Sequence, residues 1–195
     1  MHTERQGHGF AFEDYVEDIY NVDRSHEGYG KKYTDPWDGL YYGYPVSIKH
    51  IKKGCAVDLA DVFRQASITE DFIMFVDFYE TPLVSETDDI HILFIPGEKW
   101  HSYFASPDIF EERLRDVLKS VSNDKSDDAK WTKLRVESVK FWKSITTGFI
   151  TLNGKRDHEK QKRWQCSINN TNFFKEFLPK YEITEEEFYA KRNEK

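Results

Sequence analysis

Apolar residues recur along this chain in two rhythms, and the changes between them lay out an order of elements. Phe12, Val16, Ile19 and Tyr20 share one stripe at helical spacing, which predicts a helix over 10–21 with Glu13 and Glu17 on a neighbouring face. The polar stretch 22–36 contains glycine and reads as a loop. From Trp37 the pattern turns extended. Tyr41, Tyr42 and Tyr44 favour strand, and 45–50 alternates with Val46 and Ile48 on one side, Ser47 and Lys49 on the other. Leu59, Val62, Phe63 and Ala66 return to helical spacing and predict a helix over 56–66. The run 72–79 is almost wholly apolar, as in a central strand covered on both faces, and 90–95 is a further strand ended by Pro96 and Gly97.

The second half repeats the alternation. Ser106 and Pro107 are a helix start, and Ile109, Leu114, Val117, Leu118 and Val121 carry that helix to about residue 122. Trp131, Leu134, Ser138, Trp142 and Ile145 line one face of another helix, with Lys130, Lys133, Glu137 and Lys140 on a second face. Short strands are expected at 149–152 and 164–168, flanking a basic loop 153–163. A short helix over 170–178 follows, and Thr184 with Glu187 forms a capping box for the last helix. No repeat or Ser/Gly-rich linker divides the chain, so one domain is expected over 1–195.

Composition narrows the classes. Among 195 residues, 38% are hydrophobic, with 15 Phe, 11 Tyr and 5 Trp, enough for a packed core and inconsistent with a disordered chain. No apolar run reaches the ~20 residues of a membrane helix, and the N-terminus lacks a signal-peptide layout. Cys55 and Cys166 cannot make a disulfide framework and read as small core residues, so a soluble cytoplasmic protein is the expectation. The net charge of −7 argues against nucleic acid until its distribution is considered. Residues 129–163 hold ten Lys/Arg against three acids, +7 in that window, which leaves −14 for the remainder. An acidic body carrying one basic surface fits a polyanion partner.

Candidate chemistry gathers at Asp38-Gly39 and, after a further short stretch, Ser47 and Lys49. Divalent-metal phosphodiester hydrolysis needs hard oxygen ligands and a cation near the attacking water, and Mg²⁺ binds through only one or two carboxylates while keeping waters. Period-two alternation points Ser47 and Lys49 the same way, with Asp38 one hairpin turn upstream. Asp38 and Gly39 are equally common turn residues, and Ser47 and Lys49 equally fit the solvent face of an amphipathic strand.

The order of these elements resembles the core of the PD-(D/E)XK nucleases, and more narrowly their type II restriction endonuclease branch. The matching residues are Gly9, Phe12 and Glu13 on the first helix, Trp37, Asp38 and Gly39 at the bend, and Val46 to Lys49 on the following strand. Lys52, Lys53 and Gly54, then Asp58, Leu59, Ala60, Asp61, Arg64 and Gln65, resemble the helix that follows the catalytic strand. The likeness runs from residue 9 to about 96. Pro36 stands two before Asp38 instead of directly before it, and Ser47 occupies the place of the usual acid. The resemblance implies an α/β fold of the restriction-endonuclease type, a mixed central sheet flanked by helices on both faces, with catalytic elements in 1–105. It implies a Mg²⁺-dependent enzyme cutting double-stranded DNA as a homodimer, with no membrane partner. In it Asp38 and Glu13 hold the metal, Lys49 positions or deprotonates water, and Ser47 adds a hydroxyl or only space. Asp77 is an alternative ligand or a hydrogen-bonded core acid.

DNA recognition is expected within 129–178. Arg suits guanine, Gln suits adenine and Lys suits phosphate, which nominates Lys155, Arg156, Lys160, Gln161, Lys162, Arg163 and Gln165 in the basic loop. Lys130, Lys133 and Lys140 are candidate phosphate contacts, with Arg64 and Gln65 as a secondary pair. Two other readings stay open: a non-catalytic DNA-binding protein on the same scaffold, and an acidic interaction domain whose basic segment docks a protein. His158 and Asn169 lack the partners of a His-metal finger, and no H-E-x-x-H pattern points to zinc.

Overall fold

A computed structural model describes residues 3–25, 37–80, 90–156 and 161–193. In chain order the elements are α1 (Thr3–Tyr20), β1 (Gly39–Tyr41), β2 (Tyr44–Lys52), β3 (Val57–Asp61), α2 (Val62–Ala66), β4 (Phe72–Tyr79), β5 (His91–Ile95), α3 (Gly97–His101), α4 (Pro107–Ser120), α5 (Asp128–Ile145), β6 (Ile150–Arg156), β7 (Lys162–Ile168), α6 (Asn170–Asn172), α7 (Leu178–Tyr181) and α8 (Glu185–Asn193). A π-helical turn, Phe173–Phe177, separates α6 from α7. The protein is of the α/β class, and its strands form two sheets. Two compact units result, one from 1–55, 70–97 and 173–195, the other from 56–69 and 98–172.

The first unit is built on a four-stranded mixed sheet in the order β1-β2-β4-β5. β2 and β4 run parallel with Val46 opposite Ile73 and Lys49 opposite Val76, while β1 and β5 are antiparallel edges. β4 is buried from Phe72 to Asp77, in keeping with its continuous apolar sequence. Phe12 and Val16 of α1 are fully buried and pack with Val46, Ile48, Ile73, Phe75, Ile92, Phe94 and, from α8, Phe188. Ile19, expected on the same stripe, is 50% exposed. The capping box of α8 is formed: Thr184 N–H donates to Glu187 Oε2 (2.8 Å) and Glu187 N–H to Thr184 Oγ1 (3.2 Å).

The second unit has an antiparallel sheet in the order β3-β7-β6. Three tryptophans that anchor its core are fully buried or nearly so, and each indole N–H donates to a backbone carbonyl. Trp100 bonds Gln65 O (3.0 Å), Trp142 bonds Ile150 O (2.8 Å) and Trp164 bonds Leu114 O (2.9 Å). Burial of an indole is favourable when its one donor is satisfied in this way. Gly154 permits the packing, because a Cβ there would lie 2.8 Å from Trp164 and 2.9 Å from Trp131. Of the two cysteines Cys166 is buried, whereas Cys55 is exposed and not a core residue.

Two expectations are corrected. Residues 56–66 are not one helix: 57–61 pair with β7, and helix begins only at Val62. A bulge between Asp58 and Ala60, with Ala60 at φ +67°, breaks the helical path, and the Asp61 carboxylate then caps α2 by accepting from Phe63 and Arg64 N–H at 3.0 Å each. Likewise most of 153–163 is not loop but the two arms of a hairpin, with Lys155 opposite Arg163 and Arg156 opposite Lys162.

Ala60 is the residue on which the bulge is strained, since a Cβ disfavours left-handed backbone. Ala60→Gly should therefore raise stability by about 0.5–1 kcal/mol. Gly154→Ala should lower it by about 1–3 kcal/mol through collision with the two indoles. Urea unfolding followed by tryptophan fluorescence measures both.

Candidate active site and basic surface

In the first unit, β1 begins at Gly39, opposite Val46, and β2 runs on past that point to Lys52. The Asp38 N–H donates to Val46 O (2.8 Å), and Asp38 Oδ2 accepts from the Ile48 N–H at 2.6 Å. The carboxylate thus takes the place of the next ladder acceptor and fixes its own orientation. Gly39 is required at this bend: a Cβ would lie 2.5 Å from Val22 Cγ1. Ser47 is 8% exposed and Lys49 is half-buried on β2. Glu13 projects from α1, which is held against the sheet by its neighbour Phe12.

These groups share one electrostatic neighbourhood. The Glu13 carboxyl is raised to about 7, first by burial and then by the negative charge of Asp38, with Arg24 and Lys49 opposing. The structure therefore brings Glu13, Asp38 and Lys49 together from α1, the bend before β1, and β2. Ser47 lies two residues before Lys49 on the same strand. Two partly buried carboxylates, one of them disfavoured as an anion by the charge of the other, are a donor set suited to a hard divalent cation. Among the described residues no group of three or more His, Cys, Asp or Glu is placed to hold a metal. A site here has only the two carboxylates, within the range Mg²⁺ uses.

Arg24 was not among the residues the sequence singled out. Its guanidinium lies 3.0 Å from Asp14, 3.0 Å from Glu17 and 3.5 Å from Glu13. It falls in the polar segment read as loop, and the only signal was one arginine closely following the acid-rich 13–18 helix turn. Asp77 is the buried acid of β4, 3% exposed, with Oδ2 at 3.8 Å from His50 Nε2 on the adjacent strand.

The basic residues of the second unit divide by environment. Lys133 and Lys140 are exposed on α5, where they line a shallow cavity with Thr132, Val136 and Glu137. Lys155 is exposed on β6 and Gln161 precedes β7, its Oε1 accepting from Arg163 Nη1 at 2.8 Å. Lys130 Nζ donates to Ser120 O and Lys162 Nζ to Val121 O. The Arg156 side chain is 2% exposed, pairs with Asp128 at 2.7 Å and donates to the Asp124 carbonyl, so it ties β6 to the start of α5. Gln165 is 6% exposed on β7, whose two faces are both covered from Trp164 to Ile168, and Gln65 is 7% exposed on α2. Neither glutamine is presented to a ligand. Arg64 is half-buried, and Lys160 lies outside the described residues.

Among the described residues no helix is long and apolar enough to cross a membrane. Comparison with family models, with curated proteins and with solved structures gave no match.

The raised Glu13 carboxyl makes stability depend on pH. The folded state holds this proton up to about pH 7, whereas the unfolded chain releases it near the ordinary value, so between those values the folded state binds more protons. Stability therefore falls as pH rises from about 4.5 to 7 and levels off above. Glu13→Gln should abolish that fall, leaving the variant more stable than wild type at pH 8 by about 1–2 kcal/mol, allowing for solvent screening of a partly exposed group, and equal to it at pH 4. Chemical unfolding across pH 4–8 in chelator tests this, and parallel curves for the two proteins would refute it.

Proposed function

We propose that this protein is a Mg²⁺-dependent endonuclease acting on double-stranded DNA, of the type II restriction kind. The observation that carries the reading is the convergence of Glu13, Asp38 and Lys49 from three separate elements on one electrostatic neighbourhood, with Ser47 beside them. Chance turn and strand residues have no reason to converge in this way, whereas phosphodiester hydrolysis needs such a set. Asp38 and Glu13 would hold Mg²⁺, which when bound supplies positive charge at the phosphate and a more acidic water. Asp38 enters already oriented by the Ile48 N–H, so it needs no reorganisation to act as a ligand. Lys49 brings its ammonium to the attacking water or to a phosphate oxygen, the two places where negative charge grows. Ser47 is small enough to leave the space that a carboxylate would fill.

The second unit supplies the polyanion contacts in this reading. Lys133, Lys140 and Lys155 are exposed cations suited to phosphates, and Gln161 and Arg163 are the groups left to meet base edges. Arg156, Gln65 and Gln165 drop out, since each is turned inward. Cleavage of a two-fold symmetric site would require two copies of the chain, one per strand.

Asp38→Asn keeps an acceptor for the Ile48 N–H, and it and Lys49→Ala should each lower Mg²⁺-dependent plasmid cleavage by at least about 100-fold without unfolding the protein. Glu13→Gln should impair cleavage far more than Glu17→Gln, which removes a carboxylate paired with Arg24. Near-normal cutting by Asp38→Asn or Lys49→Ala overturns the enzyme reading.

Binding in Ca²⁺ tests the basic surface separately. Alanine at Lys133, Lys140 or Lys155 should weaken cognate and random duplexes alike and flatten the salt dependence by about one counterion each. Alanine at Gln161 or Arg163 should cost about 1–3 kcal/mol on the cognate duplex alone. Arg156→Ala should show itself as lost stability, visible in a thermal melt without DNA.

A further inference from the structure

Residues 22–25 are tied to the strand that begins at the Asp38 bend. Asp23 and Leu40 exchange two backbone hydrogen bonds, at 2.7 and 2.9 Å, and the Asp23 carboxylate accepts from the Ser25 N–H at 2.8 Å. This pairing sets Arg24 beside Gly39, where its Cγ would stand 3.3 Å from a Cβ if one were present. From there the guanidinium, 19% exposed, reaches back to α1 and meets three carboxylates. Its contacts are unequal. Nη1 is within hydrogen-bond distance of both Asp14 and Glu17, at 3.0 Å, whereas Nη2 is 3.5 Å from Glu13 Oε2, an ion pair but too long for a good hydrogen bond.

Glu13, Asp14, Glu17 and Asp38 bring four potential negatives to this place, and Arg24 and Lys49 bring two positives. A divalent cation entering between the carboxylates would meet an arginine already committed to one of them. Yet the arginine can release Glu13 by giving up its longest contact and keeping the two shorter ones.

Resting on the reading of Asp38 and Glu13 as cation ligands, we propose that Arg24 is a built-in counter-ion which holds Glu13 beside Asp38 in the cation-free protein and yields Glu13 to the divalent cation, retiring onto Asp14 and Glu17. Arg24 is thus a positioning residue that sets the cation concentration at which the site fills. It keeps like charges together when no metal is present, and it competes with the metal for one ligand.

Mn²⁺ binding to the full-length protein, measured by calorimetry without DNA, tests this together with thermal melts. Wild type, Arg24→Gln, Arg24→Lys and Asp38→Asn are compared. Arg24→Gln should melt lower than wild type in chelator, bind Mn²⁺ about 5- to 20-fold more tightly, and regain most of its lost melting temperature at saturating Mn²⁺. Arg24→Lys should stay near wild type in both measurements. Asp38→Asn should bind Mn²⁺ weakly or not at all. If wild type binds Mn²⁺ through Asp38 but Arg24→Gln binds no more tightly, or melts lower by the same amount with and without Mn²⁺, the counter-ion role is overturned and the cation site stands. If wild type and Arg24→Gln bind no Mn²⁺, or Asp38→Asn binds as wild type does, the cation site itself is overturned and this inference with it.

Discussion

Where β1 stops, β2 runs on, and the Ile48 N–H on its outer edge needs an acceptor. A buried backbone donor left without one costs about as much as a lost hydrogen bond, on the order of 1–3 kcal/mol. Asp38 meets that need at 2.6 Å, and much of the first unit's chemistry depends on this. The carboxylate is held by the backbone, so its position follows from strand register. Register in turn is fixed by Val46 and Ile48 facing Phe12 and Val16 in the core. A slip of one residue would bury Lys49 among those apolar groups and expose the core face. Packing and placement of the candidate site are therefore one constraint.

Around that fixed acid the other charges settle by compromise. Glu13 cannot leave the sheet, because Phe12 beside it is fully buried. It cannot ionise readily either, because burial and Asp38 both oppose it. Arg24 and Lys49 supply the opposing charge from two different elements.

Legibility in the sequence followed the strength of local pattern. β2, β4, β5, α4 and α5 were readable because their apolar periods are long and unbroken, and the capping box marked α8. β3 was misread as helix because Leu59, Val62 and Phe63 satisfy a helical period. What decides it is pairing with β7, a contact distant in sequence that no local rhythm reports. Gln165 looked available for the same kind of reason. It adjoins the basic stretch in sequence, but β7 is covered on both faces from Trp164 to Ile168. Arg156 read as a recognition residue, and its partners Asp128 and Asp124 lie far away in sequence. Asp38, Lys49 and Glu13 were legible as candidates through resemblance. Arg24 was not, because its importance comes from the Asp23–Leu40 bridge, which no spacing rule encodes.

The path of the chain through its two units bears on how the protein is made. The second unit has all its residues by Asn172, whereas the first takes its last segment from 173–195 and seats Phe188 in its core. During synthesis from the N-terminus, the second unit with its tryptophan core can close before the older, N-terminal half has its final core residue. Until then α1 and the β2–β4 pair wait with an apolar face uncovered, the condition in which nascent chains recruit chaperones or aggregate. A ribosome stalled shortly before Phe188 would hold a chain whose second-made unit is finished and whose first-made unit is not.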